Sequence, residues 1–504
     1  MKVVLFLLSV IFAGLASAAA ANERPNILWV FVDDQGPDWG CYGNTLVHTP
    51  TLDALAGEGS VFTRAFAVAP VCSVSHTSLF TGNYVTSLGA PHHRSHYQDE
   101  LPEGHFHIEE LLSDAGYFTV NMVSSIGGKD DRIIHGASGK TDFNFFRKSE
   151  AYRQKSINNQ SGGEFFDHVH ALSNEEPGSY FSGGAWDKRR EGQPFFAYVN
   201  IETGKKHGWE KGTEWARRNK LAVDPGKVRV PGYLADTPGI REFLASKLNA
   251  VSHTDAVIGN FIGALKDTGE YDNTFIFVAG DHGYDFMRHK QTLYDSGLRV
   301  PLIIRWPGKG SAATCDDLAG LIDIAPTTLR IAGVDVPGTM EGIDLRDAGA
   351  LKKRKHLFGT RDGVDGVFDM YRTVRDRRFR YIRHFYPEIP YLNGKYASRF
   401  MVIKEMRELA RAGELNAAQE AFLLPQKRAA EELYDLENDP DEVNNLAGKA
   451  GYESIQSDLS RALAAWMEDN GDIDPEYGEL FSSGRLRANL RVQGLIDKKE
   501  NDSQ

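Results

Sequence analysis

Acidic residues follow two apolar segments that lie far apart in the chain. Asp33 and Asp34 come directly after one segment, and Asp281 and His282 come directly after another. Adjacent carboxylates at the end of a buried strand repel each other, so their ionisation favours a bound cation. Carboxylate oxygens suit a hard ion such as Ca²⁺ or Mg²⁺, whereas a histidine-dominated set suits zinc. Either pair alone is also typical of a turn or a helix cap, but the two pairs together favour a metal site.

A third candidate is Cys72, which precedes a segment with helical spacing from about Ser75 to a stop at Gly82. This spacing predicts that Cys72 lies at a helix N-terminus, where unpaired N–H groups and the helix dipole attract an anion. The other cysteines are Cys41 and Cys315, and an odd number does not make a disulfide framework. A buried structural thiol and a chemically active thiol both fit these observations.

Apolar runs alternate with helical patterns through most of the chain. The predicted strands are Asn26–Asp33, Val61–Phe66, Tyr117–Val123, Phe195–Ile201 and Thr274–Ala279, and the predicted helices are Thr51–Gly59, His107–Ala115 and Ile240–Leu265. This alternation predicts an α/β fold with a mostly parallel sheet that helices cover on both faces. Ligands of such sheets bind at the carboxyl ends of the strands, where we expect Asp33, His207 and Asp281 to meet.

The pattern changes past residue 355, and we predict a catalytic domain over 22–355 and a smaller α+β subdomain over 356–504. Short runs at Tyr371–Thr373 and Phe379–Ile382 alternate with charges like antiparallel strands, and helical stretches follow at Met401–Ala412 and Ser454–Glu468. The polar segment 142–190, rich in glycine and serine, is interpreted as long surface loops.

The N-terminus carries a targeting pattern. Lys2 precedes the apolar run Val3–Leu15, and the small residues Ala16-Ser17-Ala18 follow. This pattern predicts a signal peptide over 1–21, and the run is shorter than a transmembrane anchor. We therefore expect a secreted or periplasmic protein with no stable membrane anchor, an uncleaved anchor being the alternative. The net charge of −12 argues against non-specific binding to nucleic acid or anionic membranes.

The motifs occur in an order that resembles the type I sulfatases of the alkaline-phosphatase superfamily. The resemblance covers nearly the whole mature chain. It rests on the segments Pro25–Asp34, Thr49–Asp53, Cys72–Gly82, Gly280–Gly283, His289–Pro301 and Glu432–Leu446. Each segment is weak by itself, whereas their order together is specific. Gly89–Ser95 and Tyr381–Pro387 resemble the branch of the heparan N-sulfatases, which are N-sulfoglucosamine sulfohydrolases.

This resemblance implies a fold and two cofactors. The expected fold is a large mixed, mostly parallel sheet sandwiched by helices, as in alkaline phosphatase, with the smaller subdomain completing the substrate pocket. In such sulfatases a maturation enzyme oxidises the cysteine to formylglycine, whose hydrate attacks sulfur with the help of one calcium ion. By resemblance, the calcium ligands are Asp33, Asp34, Asp281, His282 and the modified Cys72.

Basic residues of the family hold the sulfate and protonate the leaving group. By resemblance these are Lys290, His207 and one further lysine. The further lysine is Lys140 or Lys129, and we favour Lys140 because its surroundings match the heparan-sulfatase-like branch. Lys206 competes locally with His207 for the same role.

Contacts to the sugar are predicted for three residues outside this set. His93 and Arg94 follow the nucleophile helix in a basic cluster, and Arg361 lies in a segment that resembles one facing the family's pocket. A surface role fits each of them equally well.

The nucleophile motif departs from the family at two positions. The family reads Cys-x-Pro-x-Arg, or Ala for Pro, whereas this chain has Val74 and His76 there. The maturation enzyme reads both positions, and the family's arginine contacts the formylglycine and the metal site. Histidine can donate to an oxyanion, but it is shorter than arginine and its charge depends on pH.

The predicted function is hydrolysis of sulfate from a sulfated carbohydrate, from a glycosaminoglycan or an algal polysaccharide. Two alternatives stay open. A phosphate or phosphonate ester hydrolase of the same superfamily uses the same site chemistry. A non-catalytic homologue that binds sulfated glycans would explain the altered motif, although the complete set of metal ligands argues against loss of function.

Overall fold

The structure is a computed structural model, which describes residues 24–93, 99–124, 145–146, 168–172, 186–308, 312–364, 367–392, 401–425 and 427–472. The signal peptide predicted over 1–21 lies outside these residues. Within them, no helix is long and apolar enough to cross a membrane.

The described strands and helices follow one another in mixed order. The strands are β1 (Asn26–Val32), β2 (Gly59–Phe62), β3 (Ala65–Phe66), β4 (Asp99–Glu100), β5 (Phe118–Ser124), β6 (Phe145–Phe146), β7 (His168–Leu172), β8 (Phe195–Ile201), β9 (Thr274–Gly280), β10 (Arg299–Val300), β11 (Leu302–Arg305), β12 (Ala313–Cys315), β13 (Ala319–Gly320), β14 (Leu357–Val364), β15 (Val367–Arg375), β16 (Phe379–His384) and β17 (Glu431–Asp435). The helices are α1 (Pro50–Gly57), α2 (Cys72–Thr81), α3 (Ile108–Asp114), α4 (Lys206–Arg218), α5 (Pro238–Asp267), α6 (Asp295–Leu298), α7 (Ile324–Ile331), α8 (Ala348–Lys353), α9 (Met401–Ala412), α10 (Ala417–Leu423) and α11 (Glu453–Asp469).

An eight-stranded mixed sheet forms the centre of the molecule, in the order β12-β2-β11-β9-β1-β8-β5-β7. The five strands from β9 to β7 are all parallel, and β11 runs antiparallel to both of its neighbours. The α/β fold class with a mostly parallel sheet is therefore confirmed.

Strand β1 is apolar from Ile27 to Val32, and both of its faces are buried. Trp29 and Phe31 point into one hydrophobic cluster, which includes Phe80 of α2. Leu28 and Val30 point into a second cluster on the opposite face, with residues of α1 and α5. Alternating side chains of one strand thus hold two helical layers, as expected for a parallel sheet covered on both faces.

The register of the central strands brings three chain segments to one edge. Val32 at the end of β1 lies opposite Gly280 at the end of β9 and Ile201 at the end of β8. The Asp33 amide donates to Ile201 O at 2.8 Å, and the Asp281 amide donates to Val32 O at 3.2 Å. These bonds hold the residues that follow each strand side by side.

A four-stranded antiparallel sheet, β14-β15-β16-β17, begins at Leu357 and confirms the smaller C-terminal α+β subdomain. Helix α11 covers it, with Leu459 and Trp466 packed against Val374 and Tyr381. Helix α9 instead buries Ile403 in the same cluster as Trp29 of the large sheet. The bounds 22–355 and 356–504 stay a prediction, since both units share part of one core.

Three local predictions are wrong in detail. Helix α2 begins at Cys72, with Val71 as its N-cap, and not near Ser75. Predicted strand Val61–Phe66 is split into β2, which pairs with β11 and β12 in the large sheet, and β3, which pairs with β10 and β13 in another sheet. The segment 142–190 contains strand β7, which pairs with β5 at the edge of the sheet; a five-residue edge strand among polar residues has no clear sequence pattern.

Asp295 joins the two units and gives a test of their attachment. Its carboxylate lies at the start of α6 and forms ion pairs with Arg375 of β15, at 2.9 Å, and with Arg380 of β16. Burial raises the pKa of Asp295, but the two guanidinium groups outweigh burial and lower it to about 2.

We expect Asp295→Asn to lower the free energy of unfolding by about 3–5 kcal/mol at pH 7, because two buried guanidinium groups lose the carboxylate that they share. Thermal unfolding measures this loss. The folded pKa is depressed, so the stabilisation exists above the unfolded pKa and fades as the pH falls towards about 2. The control is Asp344→Asn, whose partner Arg346 is 41% exposed and which should cost under about 1 kcal/mol. Equal losses in both variants would contradict the role of Asp295.

Candidate metal centre and active site

Three buried carboxylates meet at the carboxyl end of the central sheet, and we call Asp33, Asp34 and Asp281 the acidic cluster. Each is at most 1% exposed. Asp34 adopts a left-handed backbone conformation with φ of 54°, which aspartate tolerates better than most residues. Its amide donates to Asp281 Oδ1 at 2.8 Å, so the turn after β1 is tied to the turn after β9.

Helix α2 brings Cys72 to the cluster with its first residue. Ser75 Oγ donates to Asp281 O at 2.7 Å and anchors the first turn of the helix to the end of β9. Cys72 and His76 are four residues apart, so they share one face of the helix. Both side chains are buried, and both point towards the acidic cluster.

One potential ligand atom from each of four residues lies within 4.8 Å of the others. These residues are Asp34, Cys72, Asp281 and His282. Cys72 Sγ lies 3.2 Å from His282 Nε2, which in turn lies 3.3 Å from Asp34 Oδ1 and 3.2 Å from Asp281 Oδ2. The sequence motifs of two strand ends and one helix start therefore converge on one point.

Two lysines contact the acidic cluster from different sides. Lys290 Nζ donates to Asp34 Oδ1 at 2.5 Å and lies 3.2 Å from Cys72 Sγ. It is flanked by Arg288 and Gln291, both with left-handed backbones at φ 64° and 68°. Lys205 Nζ lies 3.0 Å from Asp33 Oδ2. Strained backbone around Lys290 is typical of a residue held for function.

His76 and His282 supply the imidazoles of the site. Burial lowers the pKa of His282, but the Asp281 carboxylate outweighs burial and raises it to about 9. His76 Nε2 lies 3.7 Å from Asp281 Oδ2 and 3.9 Å from Asp33 Oδ1. Its Nδ1 lies 3.1 Å from the hydroxyl of Tyr198.

The described residues fit a divalent cation. Asp281 Oδ2 is buried but accepts no hydrogen bond from the described part of the chain. Burial raises the pKa of Asp34, since removal from water disfavours its charged form. A bound cation would stabilise both carboxylates as anions. Three carboxylates and one imidazole form a mainly oxygen-donor set, which suits a hard ion.

The other site residues predicted from the sequence have the following surroundings. His207 is the second residue of α4; its side chain is 45% exposed and lies 3.9 Å from Glu202. Ser73, next to Cys72, bonds Nδ1 of His93 at 2.8 Å. Arg361 is buried and pairs with Asp369 at 3.0 Å. Arg94, Lys129 and Lys140 lie outside the described residues.

Lys205 and Tyr198 contact the site without having been identified from the sequence. Lys205 precedes the competing pair Lys206 and His207, and a turn followed by a helix N-cap at Lys205 brings this residue to Asp33. Tyr198 is one of seven buried residues of β8, so nothing in its pattern distinguishes it from core residues. A basic run directly after a strand was the available signal for Lys205.

A pocket opens beside Lys290 towards the C-terminal sheet. Its polar and aromatic lining includes Gln291, Arg361, Asp369, Tyr371 and Tyr391. Arg361 Nε is buried and has no acceptor among the described residues. A ligand at Lys290 would therefore meet a further cationic donor and two aromatic rings.

The chain is similar to known proteins in both sequence and structure. Residues 25–334 match the family described as Sulfatase, and residues 280–391 match N-sulphoglucosamine sulphohydrolase, C-terminal. An ulvan-active sulfatase of Formosa agariphila is 31% identical over 502 residues, which cover 95% of this chain and 78% of that protein.

Two solved structures share the fold at low sequence identity. One is a protein in complex with its substrate D-glucosamine-2-N,6-O-disulfate, with a TM-score of 0.60, 19% identity, and coverage of 90% of this chain and 99% of that one. The other is a phosphonate monoester hydrolase from Silicibacter pomeroyi, with a TM-score of 0.60, 19% identity, and coverage of 89% and 96%. At 19% identity, the similarity to these two structures shows a shared fold and no more.

We expect a divalent cation to stabilise the protein, because it would relieve repulsion within the acidic cluster. Free Ca²⁺ at 100 times its Kd should raise the free energy of unfolding by about 2.7 kcal/mol over the protein in chelator. Asp281→Asn should lose most of this gain, whereas Asp335→Asn, at an exposed carboxylate, should keep it. Thermal unfolding with and without CaCl₂ measures both. An equal gain in the two variants would place the ion elsewhere.

Proposed function

This chain belongs to the sulfatase family, and from that premise we propose that it removes sulfate from a sulfated carbohydrate with a formylglycine derived from Cys72 and one bound Ca²⁺. As a member of this family it is a sulfuric ester hydrolase. The observation that carries the proposal is the position of Cys72 Sγ, which lies 3.2 Å from both Lys290 Nζ and His282 Nε2 at the acidic cluster.

Asp33, Asp34, Asp281, His282 and the modified Cys72 would hold the calcium ion. When bound, calcium would supply a Lewis acid for the sulfate oxygens, and formylglycine would supply the nucleophilic oxygen. The acidic cluster supports this assignment because its charge is only partly balanced by lysines. Its burial excludes water, which strengthens each of these interactions.

Lys290 is proposed to stabilise the negative charge that develops on sulfate. Its Nζ is within 3.2 Å of the Cys72 sulfur, whose position stands for the nucleophile, and it already neutralises Asp34. A fixed donor at this point needs no rearrangement during the reaction. The side chain is 8% exposed, so a substrate at Cys72 would meet a nearly desolvated ammonium group.

The segment after β8 is proposed to face the leaving group. Lys205 holds Asp33, and His207 lies two residues further on at the surface of α4. Burial lowers the pKa of His207, which favours the neutral imidazole at neutral pH. His207 therefore donates a proton to the leaving group more effectively at acidic pH. Lys140, as the further lysine of the family, stays a proposal from resemblance.

The substrate is proposed to be a sulfated polysaccharide fragment of the algal or glycosaminoglycan type. The relative from Formosa agariphila is named for activity on ulvan, and the C-terminal region matches that of N-sulphoglucosamine sulphohydrolase. The pocket beside Lys290 supports a sugar, since aromatic rings and buried donors such as Arg361 and Tyr371 suit a polar ring. His93, Arg94 and Arg361 are the proposed sugar contacts.

Export and maturation belong to the same proposal. The signal pattern over 1–21 would direct the chain to the periplasm or outside the cell. A formylglycine-generating enzyme is the expected partner during synthesis. Val74 and His76 alter the segment that this enzyme would read, so a non-catalytic glycan-binding homologue is the second candidate function.

A panel of defined sulfated mono- and disaccharides, assayed beside phosphodiesters and phosphonate monoesters, tests this proposal. We expect sulfate release from at least one sulfated sugar, and an activity on phosphodiesters lower by several orders of magnitude. Chelation should abolish the release, and added Ca²⁺ should restore it. Preferential phosphonate hydrolysis would support the alternative enzyme of the same superfamily.

Mass spectrometry of the peptide around Cys72 separates the enzyme from a non-catalytic homologue. The protein from its native host should carry an aldehyde in place of the thiol. An unmodified thiol, together with no sulfate release and retained glycan binding, would favour the homologue. Cys72→Ala provides the matched protein that cannot mature.

We expect Lys290→Met to lower kcat/KM for sulfate release by about 10²–10³, as for loss of one preorganised donor. Lys205→Met should also lower it, because Asp33 loses its cation. Lys206→Met, which leaves the ion pair between Lys205 and Asp33 in place, should stay within a few-fold of wild type. Steady-state kinetics on matured protein, with thermal unfolding as a folding check, measures all three. A larger loss for Lys206→Met than for Lys205→Met would reverse the assignment.

A further inference from the structure

His76 forms a second group of potential metal ligands with Asp33 and Asp281, whose ligand atoms all lie within 4.8 Å of one another. Its side chain is fully buried, and Nε2 forms no hydrogen bond with the described residues. This nitrogen stands 3.7 Å from Asp281 Oδ2 and 3.9 Å from Asp33 Oδ1. Both distances exceed a hydrogen bond. Two ligands of one ion with bonds of about 2.0–2.2 Å stand about 3–4 Å apart, which matches both separations.

The contact of Tyr198 with Nδ1 of His76 leaves Nε2 as the ring nitrogen that faces Asp33 and Asp281. The hydroxyl of Tyr198 lies 3.1 Å from Nδ1 of His76 and also 3.5 Å from Asn200 Oδ1. If the hydroxyl donates to Asn200, its lone pair accepts the Nδ1 proton of a neutral imidazole. The partner of one ring nitrogen decides which nitrogen binds a metal, and here that nitrogen is Nε2.

The charges around Asp281 also favour a bound cation beside His76. Lys205 contacts Asp33 and Lys290 contacts Asp34, whereas no described lysine or arginine forms an ion pair with Asp281. Among the described residues, its Oδ2 faces two imidazole nitrogens, those of His76 and His282. A buried carboxylate between two nitrogen donors is the environment of a bound cation.

We propose that His76 is a direct ligand of the metal centre, which therefore holds its divalent ion with two imidazole nitrogens and accepts a first-row ion such as Mn²⁺ more tightly than Ca²⁺. The inference rests on the proposed function, because it concerns the same ion. Nitrogen ligands raise the affinity for transition-metal ions more than for Ca²⁺, which prefers oxygen. His76 thus gives this chain a wider choice of metal than an arginine at the same position.

The opposing interpretation is that His76 serves only as a cation in place of arginine. A cationic imidazole would balance Asp281 and Asp33 without binding metal. His76→Arg keeps that charge and removes the ligand, whereas His76→Gln keeps a polar side chain of similar reach and removes both. The two interpretations therefore predict different orders of metal affinity for the same variants.

Calorimetric titration of chelator-treated protein with MnCl₂ and with CaCl₂ tests the proposal. We expect His76→Gln and His76→Arg to weaken Mn²⁺ binding by about 10–100-fold, the range found when a metal ligand loses its support. Ca²⁺ affinity should change less than about threefold in His76→Gln. His105→Gln, at a histidine outside the site, is the control and should match wild type for both ions.

Electron spin-echo spectroscopy of the Mn²⁺-loaded protein gives a readout that does not depend on a variant folding well. Wild type should show coupling to two imidazole nitrogens, and His76→Gln to one. A single nitrogen in wild type, or unchanged Mn²⁺ affinity in both variants, would overturn the proposal. Sulfate release with Ca²⁺ is measured on the same preparations. If wild type releases sulfate but shows coupling to a single nitrogen, only the proposed role of His76 is overturned. If wild type releases no sulfate, the result counts against the proposed function itself.

Discussion

Three carboxylates share one buried point, and their mutual repulsion is the constraint on which the site depends. Asp33, Asp34 and Asp281 lie where the parallel strands β1 and β9 end, in a place from which water is excluded. Such charges are tolerated only when cations and fixed donors surround them. Among the described residues, two lysines and two imidazoles surround them, and the proposed divalent cation would complete this balance of charge.

Close backbone contacts make this arrangement rigid. A Cβ on Gly204 would lie 2.0 Å from Asp33 O, and one on Gly280 would lie 2.3 Å from Gln35 O. Only glycine permits these approaches, so the turns after β8 and β9 press directly against the turn after β1. Ser75 fixes helix α2 to the turn after β9 through Asp281 O. The positions of Cys72 and the carboxylates are therefore set by backbone contacts and not by flexible side chains.

The altered nucleophile motif fits this framework without loss of packing. Val74 is 1% exposed and packs with Val71, Val85 and Val364 in a small apolar cluster. His76 packs edge-on against Phe31 and Tyr198. Both departures from the family pattern are thus accommodated by their neighbours.

The sequence by itself determined the fold class, the two acidic strand ends and the cysteine at a helix start. These features depend on local patterns: apolar runs bounded by acids, and helical spacing ended by glycine. The tertiary structure alone decided that Lys205 contacts Asp33, that Tyr198 contacts His76, and that no lysine of the described residues forms an ion pair with Asp281. Such pairings join residues that are distant in the chain, and their distances depend on strand register and helix placement, which leave no mark in local sequence.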